Sequence, residues 1–328
     1  MTDGIHVPIV EAAPQDAHGL ADPVVEVDVE KWRALGYVHK ENVGEGVRVG
    51  VVDTALEEHP WFAGQVLGGP EVGDIAGLLA QNYTAGHATF IAGLVLQQAP
   101  AARVTVRGAL DGDGHGVIAD VAAAAHDLVL GTATGEPVDL LNLSLGSYGS
   151  ATEGAEFQQL LDDLWRENPN LVIVAAAGNT RPDQNGLVFY PAGLADVPAN
   201  RSRLVSVAAA TDGSAATLAE WSNRGPWVTF QVNGSDLVST YLRFPTTAIN
   251  PPGRWVRWSG SSFATALASG VIAATMRPGD GTRRTAMEAV EYLRGADTLP
   301  VPLPTGPFPP TPQPALRRLA AWARRLGR

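Results

Sequence analysis

The sequence predicts an α/β protein: a three-layer sandwich in which a mainly parallel central sheet lies between two layers of helices. From about residue 47, short runs rich in Val, Leu and Ile alternate with longer segments of helical character, the pattern of a sheet built from strand–helix–strand units. The short runs are apolar at successive positions, as strands buried on both faces are. With 328 residues, 45% hydrophobic and 17% charged, the chain is globular in composition and long enough to bury a large core.

The first strand is VRVGVVD (47–53), which ends in an acid. A helix follows over His87–Gln98, in the small and apolar run after Gly86, and RVTVRGA (103–109) returns as a strand. The Ala-rich stretch Ile118–Leu130 is the next helix, followed by the strand VDLLNLSLG (138–146). Glu153–Glu167 is an amphipathic helix leading to LVIVAAAGN (171–179), and RLVSVAAA (203–210) is a further strand. The last helix of the body, Ser262–Met276, opens inside WSGSSFATALASG. In such sheets chemistry collects at the carboxyl ends of the strands, which directs attention to Asp53, Ser144 and Asn179.

The charge is uneven. Residues 1–30 carry seven acids and no Lys or Arg, whereas the last twelve residues carry five Arg and no acid. LPVPLPTGPFPPTPQP, between the body and that tail, is too Pro-rich for helix or central strand. The expected organisation is an acidic extension over 1–30, the main body over 31–298, and a Pro-rich linker with a basic tail over 299–328. The tail ALRRLAAWARRLGR is expected to dock on the acidic body, or else on a partner or a membrane surface. A net charge of −11 argues against a nucleic-acid partner, and the lack of cysteine excludes disulfides and thiolate catalysis. No apolar run is long enough for a membrane span, and the N-terminus lacks a basic region followed by an apolar core. A cytoplasmic location is the expectation.

Three serines within four positions in SGSS (259–262) pose the question of a nucleophile. A serine needs a base, and the base needs an acid to orient it. Of seven histidines, His87 has the tightest frame: it opens a helix, where the dipole disfavours the protonated ring. Asp53 alone reads as a turn acid and Asn179 alone as a turn residue after a strand.

Taken in chain order, Asp53, His87, Asn179 and Ser262 resemble the subtilisin-like serine proteases, or subtilases. The matching stretches are VRVGVVDTALEEHP, GHATFIAG, LLNLSLGS, VIVAAAGN and GSSFATALASGVIAA, with weaker matches in FYPAGLADVPANRSRLVSVAAA and EWSNRGPWV. The resemblance covers roughly residues 31–277. It implies a serine endopeptidase with Ser262 as nucleophile, His87 as base, Asp53 as its orienting acid and Asn179 in the oxyanion hole. It also implies that the substrate peptide lies along Gly112, Asp113 and Gly114 and along Ser144, Leu145 and Gly146. Ala176, Ala177 and Gly178 would then line the pocket for the residue before the scissile bond. These small walls predict an open pocket for apolar or aromatic side chains.

Some positions depart from the family pattern. Ala88 and Phe90 replace a Gly and a second His, Ala266 replaces a Pro, and Phe263 replaces a Met, where it is expected to narrow the leaving-group side. FIAGLVLQQAPAARVTV runs from helix to strand without the Asn- and Gly-rich calcium loop of many secreted members, so no cofactor or metal is expected. Substrates are expected to be few, or a single precursor. The alternative is a peptide-holding pseudoprotease with a blocked cleft. Finally, GIHVPIV (4–10) resembles the N-terminal extension that lies across the active site in intracellular subtilisins; an edge strand or a solvated acidic arm are the other readings.

Overall fold

The computed structural model describes residues 6–7, 42–68, 83–132, 134–149, 151–179, 188–211, 217–242 and 255–295. The Pro-rich segment, the basic tail and most of the acidic extension lie outside the described residues. In chain order the elements are β1 (His6–Val7), β2 (Arg48–Asp53), β3 (Val66–Gly68), α1 (His87–Gln98), β4 (Arg103–Gly108), β5 (Gly116–Val117), α2 (Ile118–Leu130), β6 (Leu140–Leu143) and β7 (Ser147–Tyr148). There follow α3 (Ala151–Glu167), β8 (Val172–Ala176), β9 (Phe189–Tyr190), β10 (Leu204–Ala210), β11 (Phe230–Asn233), β12 (Leu237–Thr240), β13 (Trp255–Trp258), α4 (Ser261–Met276) and α5 (Ala286–Arg294).

Seven strands form the central sheet in the order β11-β10-β8-β6-β2-β4-β3, and every adjacent pair is parallel. Side chains alternate across it. Val49 and Val51 of β2 join the same core as Val104, Val172, Val174 and Val205, together with α1 and α4. Val52, Leu141, Ile173 and Leu204 point the other way, into a core closed by α2 and α3. Two buried faces explain why these strands are apolar at every position. This is the predicted three-layer α/β arrangement.

Chain order reverses around β2: the chain fills β3 and β4 on one side, then β6, β8, β10 and β11 on the other. Beyond the carboxyl ends of strands at such a switch the connections diverge and leave a crevice. Two expected strands are shorter than read from the sequence, β6 stopping at Leu143 and β8 at Ala176. The residues beyond each of them leave the sheet to line that crevice. The helix α1 passes to β4 through Ala99–Ala102 alone. No helix among the described residues is long and apolar enough to cross a membrane.

Candidate active site

Asp53 follows Val49 and Val51 in the period-two alternation, so its side chain emerges on the face covered by α1. His87 is the first residue of that helix. Its Nδ1 lies 2.8 Å and 2.9 Å from the two carboxylate oxygens of Asp53. Thr54, next along the chain, fixes both partners. Its backbone N–H donates to Asp53 Oδ1 at 2.8 Å, and its Oγ1 accepts the Ala88 N–H at 3.1 Å. Since Gly86 provides no side-chain cap, Thr54 supplies the acceptor that the start of α1 lacks. Sequence reading overlooked Thr54; its signal was a hydroxyl directly after the strand-ending acid.

Ser262 lies in the first turn of α4, which begins one residue earlier than expected, at Ser261. Its Oγ donates to the Ser144 carbonyl at 3.0 Å, while the Ser144 hydroxyl lies 2.9 Å from both the Ser262 carbonyl and Asn142 Oδ1. Asn142 Nδ2 donates in turn to Ser269 on α4 at 3.1 Å. This chain of polar contacts clamps the start of α4 to the end of β6. The Nε2 of His87 is buried and has no hydrogen-bond partner among the described residues. A buried ring nitrogen left without a partner is costly unless a function uses it.

Asn179 follows β8, and its Oδ1 accepts the Ser261 N–H at 3.0 Å. That bond fixes which end of the amide is the donor. The Asn179 carbonyl accepts the Tyr148 hydroxyl at 2.7 Å, and Tyr148 also accepts from Asn223 Nδ2 at 2.8 Å. Asp53, His87 and Ser262 are all 0% exposed.

The remaining expected positions surround this centre. Gly112, Asp113 and Gly114 form a turn in which Asp111 Oδ1 accepts the Asp113 and His115 N–H groups and the Asp111 carbonyl accepts that of Gly114. Strand pairing on this side is made two residues later, where β5 meets β1: His6 pairs with Val117 and Val7 with Gly116, antiparallel. Ser144, Leu145 and Gly146 continue from β6, and Ala176, Ala177 and Gly178 from β8, all buried. Phe263, expected to narrow the leaving-group side, packs against the His87 ring. It is fully buried, 5.2 Å from the His87 ring and 4.8 Å from Trp258, and Phe90 stacks on it at 4.5 Å. The two apparent departures at 90 and 263 are thus halves of one aromatic support beneath the imidazole. Among the described residues no group of three or more His, Asp or Glu is arranged to hold a metal ion.

Residues 44–291 match the model of the subtilase family, Peptidase_S8. The chain is 25% identical over 265 residues to the serine protease AprX of Bacillus subtilis, covering 70% of this chain and 57% of that protein. It is 29% identical over 239 residues to the thermostable alkaline protease of Halalkalibacterium halodurans, covering 70% and 56%. The chain thus spans little more than half the length of these relatives. Among solved structures, it superposes on a cold-adapted subtilisin-like serine proteinase with a TM-score of 0.57 at 23% identity, covering 79% of this chain and 84% of that one. A lanthipeptide protease gives 0.59 at 19% identity, covering 83% and 84%. At these identities the structural likeness speaks for the fold.

Proposed function

The chain belongs to the subtilase family, and from that membership we propose that it is a serine endopeptidase working through Asp53, His87 and Ser262. The observation that carries the reading is the pairing of His87 Nδ1 with the Asp53 carboxylate while Nε2 is left without a partner beside the start of α4. Asp53 holds the proton on Nδ1, so the lone pair of Nε2 can take the Ser262 proton. At rest the Ser262 hydroxyl is bound to the Ser144 carbonyl. A peptide N–H donating to that carbonyl competes with the hydroxyl and releases it towards Nε2. Oγ then attacks the peptide carbonyl, and its oxygen develops charge against the Ser262 N–H and Asn179 Nδ2. His87 returns the proton to the leaving amine, and water repeats the cycle on the acyl-enzyme.

Restriction to few substrates, or to one precursor, accords with a triad that is fully buried. The same burial, with β1 paired beside the crevice, is what a pseudoprotease with a blocked cleft would also have. A small alkyl fluorophosphonate separates the two. We expect it to label the protein at Ser262, and Ser262→Ala to abolish both labelling and peptide hydrolysis with an unchanged circular dichroism spectrum. A folded protein that takes no label would identify the binding module.

A further inference from the structure

The two backbone segments flanking Ser262 run from Ser144 to Gly146 and from Ala177 to Asn179. On the proteolytic reading, the pocket for the residue before the scissile bond is expected between them. That gap is not open. A Cβ built on Gly146 would stand 2.8 Å from Cζ of Phe189, and one built on Gly178 would stand 2.7 Å from Cγ of the same ring. The Phe189 side chain therefore lies between the two glycines, one at each end of the ring, and is only 2% exposed.

Its position is held from behind. The Tyr148 ring packs on Phe189 with centroids 4.8 Å apart. Tyr148 is itself pinned by its bonds to the Asn179 carbonyl and Asn223 Nδ2, and Asn223 Nδ2 also donates to the Ala177 carbonyl at 2.8 Å. A ring gripped between two backbones and a hydrogen-bonded tyrosine cannot swing aside without breaking several contacts.

Resting on the proteolytic reading above, we propose that Phe189 is a specificity-determining residue: it plugs the pocket for the residue before the scissile bond, so that only Gly, Ala or Ser is accepted there. This reverses the expectation of an open apolar pocket. On this reading, the space between the expected glycine and alanine walls is taken by the protein's own aromatic ring.

The test uses peptide series identical except at the residue before the cleaved bond, with alkyl fluorophosphonate labelling of Ser262 run in parallel. For the 328-residue chain, kcat/KM should be higher with Ala than with Leu or Phe by tenfold to several hundredfold, the penalty for forcing a large group into a filled space. Phe189→Ala should raise the Phe-to-Ala ratio of kcat/KM by tenfold or more, whereas a merely structural loss would lower both rates together. Should that variant fail to fold, Phe189→Leu tests the same ratio with less disturbance, and the wild-type preference stands as its own measurement. A labelled wild type that cleaves after Phe or Leu as readily as after Ala overturns the plug while leaving proteolysis intact. A protein that neither labels nor cleaves any series overturns the proteolytic reading, and the plug with it.

Discussion

Asn179 accepts the Ser261 N–H through Oδ1, so a bond to the helix that carries Ser262 sets the direction of its donor nitrogen. Replacing it by Ala should leave fluorophosphonate labelling detectable but lower kcat roughly 10²–10³-fold, the cost known for one such donor in subtilisin. Full activity in Asn179→Ala would refute the assignment. Tyr148 offers a second check. Burial pushes its phenol well above the ordinary tyrosine value near 10, with the Asn223 bond only partly opposing the shift. A raised folded value means that the contribution to stability is complete below the unfolded value and is lost as pH rises beyond it. Between pH 10 and 11.5 the Tm of the wild type should therefore fall more steeply than that of Tyr148→Phe; parallel slopes would show that the phenol ionises freely. The candidates Asp53, His87, Ser262 and Asn179 could be picked out in the sequence because each sits in a short motif at the end of a strand or the start of a helix. Phe189 could not, because its role comes from β9 meeting β7 across forty residues of chain, and no local pattern records that pairing.

At the scale of elements, the proposed catalysis would depend on how α1 and α4 cross, since each carries one of the candidate residues, His87 and Ser262. Every residue of both helices is buried, which the sequence signals by an apolar run without a polar face. Where they approach, a Cβ on Gly270 would stand 2.7 Å from the Val95 carbonyl oxygen and 2.7 Å from Gln98 Cβ. Gly270→Ala should accordingly destabilise the protein by about 1–3 kcal/mol through overpacking. It should also lower kcat more than it raises KM, because the crossing sets the His87-to-Ser262 geometry and not the substrate edge. A variant with wild-type Tm and kcat would show that the crossing has slack. The hairpin β12–β13 was missed in the sequence, although it fastens α1 from outside: Ser239 and Thr240 donate to the Phe90 and Thr89 carbonyls, both at 2.7 Å. Strands this short carry too few alternating positions to stand out, and residues rich in Ser and Thr read as loop. The amphipathic α5 was missed too, though its Thr285/Glu288 capping box is a local signal.

For the whole molecule, the arrangement of β1 matters most, because it connects the acidic end of the chain to the crevice. The pairing is antiparallel, with His6 opposite Val117 and Val7 opposite Gly116, just after Gly112, Asp113 and Gly114 in the chain. Those are the positions beside which a substrate peptide is expected to lie. Pro8 follows directly; it donates no N–H and fixes φ, which makes a peptide bound there a poor substrate. A segment tethered to the body has a high effective concentration, so even weak strand pairing competes with a free peptide at micromolar levels. Removing residues 1–20 should therefore raise kcat/KM on short peptides severalfold, chiefly through a lower KM, while Tm changes little, since Val7 is the last residue of a two-residue strand. A Pro8→Ala variant should show self-cleavage near this position if the segment does enter the crevice. Unchanged kinetics after truncation, with the fold intact and no cleavage in Pro8→Ala, would show that β1 only edges β5 and leaves the crevice to the substrate.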